Sequence, residues 1–190
     1  MTIIKQRKPN RLKKYDYSSS GWYFITICTQ NREHFFGNIV NNIMVMNKFG
    51  KIVNLQWLWL KKQYVDFVDT DEFIIMPNHF HGILIIKNIL NPVGTGLDLS
   101  LQKKCLSLSN IIGAFKTTSS KYIHQTGLNS FKWQRSFYDH IIRNEYSLFR
   151  IREYIKDNPR NWEDDRNNID CLSIPKSQLI QHLSQGLHRA

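Results

Sequence analysis

Apolar residues recur along the chain with two different periods. Trp22-Tyr-Phe-Ile-Thr-Ile-Cys28 is aromatic or β-branched almost throughout and predicts a buried strand. A second strand is expected within residues 38–46. From Lys48 the period changes, and Ile52, Leu55, Trp57, Leu58 and Trp59 fall at helical spacings, predicting a helix to about Gln63. Phe73 to Met76 and Phe80 to Ile86 are two further apolar runs separated by Pro77-Asn78. They read either as paired central strands or as one strand with a bulge.

Asn88 to Leu106 carries Pro92, Gly94 and Gly96 and has the composition of a long surface loop. Ser107 or Ser109 then caps a helix with Ile111, Ile112, Phe115, Tyr122 and Ile123 as its stripe. Phe131 to Ile142 predicts a strand or hairpin. Asn144 suits the N-cap of a helix from Glu145 to about Asp157, which Asn158-Pro159 ends. The pattern is that of an α+β protein, a sheet with helices packed on it. Asp69, Asp71 and Glu72 are expected in a turn, not at a metal site. Three segments are expected: a basic arm over 1–14, one domain over 15–162, and a polar, weakly ordered tail over 163–190.

Composition narrows the class. With 42% hydrophobic and 22% charged residues among 190, the chain can build a core, which argues against disorder, collagen and coiled coil. No apolar run approaches the roughly 20 residues of a membrane span. The first fourteen residues lack the apolar stretch of a secretory signal. Cys28, Cys105 and Cys171 are too few and too scattered for a disulfide framework or a cysteine zinc site, so a reducing cytoplasm is the expected setting.

Charge changes the picture further. Lys plus Arg number 26 against 15 Asp plus Glu, a formal net charge of +11. Lys5, Arg7, Lys8, Arg11, Lys13 and Lys14 crowd the N-terminus without an acid among them. Such a segment gains affinity for phosphate by counterion release. Five Trp, eight Tyr and eleven Phe offer faces on which unpaired bases stack. Nucleic acid is the partner this composition suits.

Two local features carry candidate chemistry. In Met76-Pro-Asn-His-Phe-His-Gly82, His79 and His81 would share one face of a strand, with Phe80 turned the opposite way into the core. That spacing suits either a divalent-metal site or two hydrogen-bonded histidines. In Glu153-Tyr-Ile-Lys-Asp-Asn158, Tyr154 and Asn158 lie one helical turn apart on one face. Tyr154 is either a packed ring at a helix end or a nucleophile, whose ordinary pKa of about 10 demands activation.

Four blocks together are similar to a known family. Gly21-Trp-Tyr-Phe-Ile-Thr-Ile-Cys-Thr-Gln-Asn-Arg32, Met76-Pro-Asn-His-Phe-His-Gly-Ile-Leu84, Trp133-Gln-Arg-Ser-Phe-Tyr-Asp-His-Ile-Ile-Arg143 and Ile151-Arg-Glu-Tyr-Ile-Lys-Asp-Asn-Pro159 resemble, in order, the REP-associated tyrosine transposases. These are single-tyrosine HUH transposases acting on single-stranded DNA. The resemblance implies an antiparallel β-sheet with α-helices on its faces. It implies that His79 and His81 are metal ligands, that Asn158 completes the site, and that the metal is Mg²⁺ or Mn²⁺. Tyr154 takes the nucleophile's position and would form a 5′-phosphotyrosine, leaving a 3′-hydroxyl that allows rejoining without ATP.

Some relatives add an acidic ligand just before the first histidine, where this chain has Met76, Pro77 and Asn78. The implied substrate is a single strand bearing a hairpin, either REP-like or from an insertion-element end, handled by a monomer or by a homodimer. Candidate DNA contacts are Lys13, Lys14, Arg32, Lys116, Lys121, Trp133, Arg135, His140 and Arg143. Trp133 is equally readable as core. A domesticated protein that binds hairpin DNA or RNA without cutting is the alternative.

Overall fold

The computed structural model describes residues 15–88 and 107–168. The basic arm with Lys13 and Lys14, most of the expected loop over 88–106, and the chain from 169 onward lie outside the described residues.

Three α-helices and a four-stranded antiparallel sheet make up the body. The strands are β1 (Gly21–Cys28), β4 (Val68–Ile75), β5 (His79–Ile86) and β6 (Tyr138–Ile142), in the order β4-β5-β1-β6. β2 (Gly37–Val40) and β3 (Ile43–Met46) pair as a separate hairpin. The helices are α1 (Lys48–Gln63), α2 (Leu108–Gln125) and α3 (Glu145–Asp157). The α+β class and the antiparallel sheet with helices on its faces are both observed.

Alternation along the two central strands sorts the layers. Tyr23, Ile25, Ile27, Phe80 and Leu84 point to one face, where Trp57 of α1 and Ile111, Ile112 and Phe115 of α2 cover them. Phe24 and Ile83 point to the other, under Leu148 and Ile155 of α3. Both faces of β5 are therefore buried. Asn47 and Asn144 cap α1 and α3, each accepting backbone N–H bonds through its side-chain oxygen. Ser107, the first of the two proposed caps, does the same for α2.

Several expectations need correction. The strand expected within 38–46 is a hairpin: Asn41 and Asn42 take φ of 51° and 62°, the left-handed pair that a two-residue turn of this kind requires. Within α1 the buried positions are Gly50, Val53, Trp57 and Leu60, whereas Leu55 and Leu58 are exposed. The runs around Pro77-Asn78 are two paired strands, and the register shift lies upstream, between Thr70 and Phe73.

Asp69, Asp71 and Glu72 belong to edge strand β4 and not to a turn, with basic side chains paired along them: Lys61 on Asp69, Arg152 on Asp71 and Lys156 on Glu72. Of the stretch 131–142 only β6 is regular strand, with one isolated bridge between Thr29 and Trp133. Beyond Trp162 the chain keeps packing: a 3₁₀ turn (Trp162–Asp164) leads to Asn167 and Asn168, both buried.

Gly82 shows how closely the main core is fitted. A Cβ built there would lie 2.5 Å from the Phe80 ring and 3.0 Å from Trp57, whose rings sit with centroids 4.5 Å apart. Gly82→Ala is expected to lose about 1–3 kcal/mol through overpacking, read as a lower midpoint in urea with an unchanged slope.

Candidate functional site

His79 and His81 extend from β5 towards α3, and β1 supplies the facing positions, Cys28 opposite His79 and Thr26 opposite His81. Both imidazoles are fully buried, with ring centroids 4.5 Å apart. Each ring is held by its Nδ1. The Asn78 amide donates to the carbonyls of Arg32 and Asn167, at 2.9 and 2.8 Å, which leaves its oxygen to accept from His79 Nδ1 at 2.8 Å. In the neutral ring that places the proton on Nδ1 and a bare lone pair on Nε2. His81 Nδ1 lies 2.8 Å from the Thr26 hydroxyl.

Burial, the main cause, pushes His79 down to about 4, partly opposed by the charge of Asp165. Burial likewise takes His81 well below the ordinary histidine range, with the neighbouring His79 adding to the effect. Both rings are therefore neutral at pH 7, the form in which an imidazole binds a metal.

Asp165 joins them from the segment after α3. Its carboxylate is 3.7 Å from His79 Nε2, and one ligand atom from each of His79, His81 and Asp165 falls within 4.8 Å of the others. Asn158, buried at the end of α3, donates to Asp165 at 3.3 Å. Among the described residues, His79 Nε2 and Asn158 Oδ1 are buried atoms without a hydrogen-bond partner. Orphaned acceptors beside a carboxylate are what a bound cation would satisfy. The residues thus fit a divalent ion, with an acidic ligand that the sequence reading lacked. The sequence signal was slight: the second of two adjacent Asp in a polar run, seven residues beyond Asn158.

Tyr154 approaches from α3, its hydroxyl 3.3 Å from His81 Nε2 and its ring edge-on to Phe24. It is 42% exposed, so the hydroxyl is held at the site while part of the ring faces solvent. Burial, the largest cause, and then the Asp165 charge raise its pKa, and Arg166 pulls the other way. The bidentate pair of Arg152 with Asp71, at 2.8 and 2.6 Å, ties α3 to β4.

The other candidates are scattered. Trp133 is core: it is 8% exposed and donates its indole N–H to Ser119, so its ring offers no open face to a base. Lys116 is an anchor, its ammonium donating to the carbonyls of Gln134 and Arg135. Arg32 donates to the carbonyl of Arg166 and braces the segment that carries Asp165. Lys121 lies on α2, in the layer on the opposite sheet face from the histidines, and is exposed. Arg135, His140 and Arg143 are exposed as well, and His140 pairs with Phe24 on the side of the sheet that carries the site.

No protein-family model matches the chain. Among solved structures, the chain is similar to a REP-associated tyrosine transposase bound to a REP hairpin, with TM-score 0.53 and 19% identity over 82% of this chain and 79% of that one. That likeness is one of fold. Among sequences, the chain is 39% identical over 173 residues to an uncharacterized protein of Haemophilus influenzae, covering 88% of this chain and 96% of the relative. At that identity and coverage, the chain and the Haemophilus influenzae protein belong to one family.

Proposed function

We propose that the protein is a metal-dependent single-strand DNA transposase of the REP-associated tyrosine class, which nicks and rejoins DNA beside hairpins. The carrying observation is the convergence of His79, His81 and Asp165 with the Tyr154 hydroxyl, 3.3 Å from His81. The fold shared with a transposase bound to a REP hairpin supports the substrate class. His79, His81 and Asp165, with the Asn158 oxygen beside them, would hold Mg²⁺ or Mn²⁺. When bound, such an ion polarises a phosphate and lowers the cost of charge built up in the transition state.

The protein's own groups do the rest. Asn78 and Thr26 keep the imidazoles oriented. Tyr154 Oη attacks phosphorus, its proton passing to solvent. The new Tyr–O–P bond replaces the P–O3′ bond, and the 3′ oxygen takes a proton from solvent and leaves as a hydroxyl. The reverse attack by a 3′-hydroxyl rejoins strands.

The direct test mixes the protein with labelled hairpin oligonucleotides from the DNA flanking its gene. A protease-sensitive covalent adduct is expected with Mn²⁺ or Mg²⁺. It should vanish with EDTA or Tyr154→Phe. Tight binding without any adduct would favour the non-cleaving hairpin-binding protein instead.

Metal binding has its own readout. Mn²⁺ is expected to raise the melting temperature by mass action, EDTA to reverse it, and Asp165→Ala or His79→Ala to abolish the shift.

Metal-free protein should also lose stability in acid. The two buried imidazoles resist protonation in the fold, but unfolding frees them to take it up near pH 6.5. Their contribution is complete above that value and falls as pH drops towards 4, at up to about 1.4 kcal/mol per pH unit for each ring. Urea midpoints that stay flat between pH 7 and 4.5 would contradict this.

A further inference from the structure

A cavity of about 490 Å³ opens beside Tyr154 and Asn158, and neither the metal group nor the nucleophile fills it. Tyr138 and Arg166 are part of its lining. Tyr138 begins edge strand β6, paired with Thr26, so it stands on the same sheet face as His81. Although it belongs to a strand of the central sheet, Tyr138 is 44% exposed. Phe24, stacked on His81 and edge-on to Tyr154, is part of the same lining.

Arg166 follows Asp165 directly, and its charge disfavours protons on His79, His81 and Tyr154. Its guanidinium is exposed and makes no ion pair among the described residues, while its carbonyl is fixed by Arg32. The lining also contains Asp164 and Asp165, so an anion entering here needs a cationic partner, and Arg166 is the arginine in that lining.

An open aromatic face and a guanidinium in one cavity match the two halves of a nucleotide, a flat base and a phosphate. The volume is that of a small-ligand site, roughly 300–1,000 Å³, and is far too small for a duplex. A base inside a duplex has both faces covered by its neighbours in the stack, and a terminal pair is too wide for this cavity, so an unpaired base is the one that reaches Tyr138.

We propose that this cavity holds one unpaired nucleotide next to the cleaved phosphate, its base on Tyr138 and its phosphate on Arg166, and so restricts the site to single strands. The assignment rests on Tyr154 being the nucleophile. Tyr138 and Arg166 are positioning residues. Losing them raises KM more than it lowers kcat.

The test measures anisotropy of two labelled oligonucleotides with the full chain. One is a hairpin with an unpaired flank and the other is the same hairpin without it. Tyr138→Ala is expected to weaken binding of the flanked hairpin about 5- to 100-fold, the worth of one stacked base, and to leave the flankless one unchanged. Tyr138→Phe should keep the parent affinity. Arg166→Gln should reduce the salt slope on the flanked hairpin by about 0.7, one single-strand phosphate contact.

A parent that does not distinguish the two oligonucleotides overturns the assignment. So does a Tyr138→Ala chain that binds the flanked hairpin like the parent, or that weakens equally on both. Adduct formation by the parent is scored separately. Flank-dependent binding through Tyr138 without any adduct would remove the nucleophile and leave the cavity's preference for unpaired bases standing.

Discussion

Two neutral imidazoles on a strand buried on both faces are the constraint around which the site is built. Water cannot solvate a charge there, so burial itself keeps His79 and His81 unprotonated. Direction then depends on what holds each Nδ1. For His79 the chain of reasoning closes: two backbone carbonyls use both N–H groups of the Asn78 amide, and the remaining oxygen can only accept. One of those carbonyls belongs to Asn167, two residues after Asp165. The segment that brings the carboxylate thus also sets the tautomer of the imidazole it faces.

The helix opposite is placed by different means. α3 buries Leu148 and Ile155 on the sheet, a small apolar contact beside the larger core under α1 and α2. Apolar packing is directionally permissive, and a helix resting on a few such residues, with Ile151 beside the two, can slide. Asp71 and Glu72 on the edge strand pair with Arg152 and Lys156 and give α3 a lateral stop. Arg152 to Asp71 is bidentate, the geometry that adds orientation to attraction. Acidic side chains on this edge also discourage pairing with a foreign strand. Tyr154 and Asn158 inherit their positions from this arrangement.

Much of this was legible in the residues. β1 and β5 announce themselves by β-branched and aromatic runs, α1 by the helical spacing that begins at Lys48, α3 by Asn144 at its cap, and the His79–His81 pair by strand spacing. What escaped did so for physical reasons. The turn at Asn41-Asn42 depends on two left-handed residues, which asparagine tolerates without requiring. Asp69, Asp71 and Glu72 look like a turn until Lys61 of α1 and the basic partners from α3, distant in sequence, are set beside them. Trp133 and Lys116 have ordinary DNA-contact chemistry, and only tertiary packing shows that a serine and two carbonyls already occupy their polar atoms. Asp165 lay in a run with no periodicity, because the segment around it is held by polar contacts to the site and not by an apolar stripe.

That last point bears on what the site can bind. A carboxylate buried beside two imidazoles that resist protonation leaves negative charge facing two lone pairs, an arrangement costly to keep empty of cations. Protonating one imidazole is a poor remedy, since the proton pays the full burial penalty and raises the cost of a second. A divalent ion shared by His79, His81 and Asp165 spreads its charge over three ligand atoms and leaves its remaining positions to water or phosphate. Arg166 stands outside that group and cannot compete for it, yet its positive charge adds to the pull on an incoming anion. The site is therefore polarised from its floor outwards: acceptors inside for a metal, and a guanidinium and an open tyrosine outside for the strand that the metal and Tyr154 would act upon.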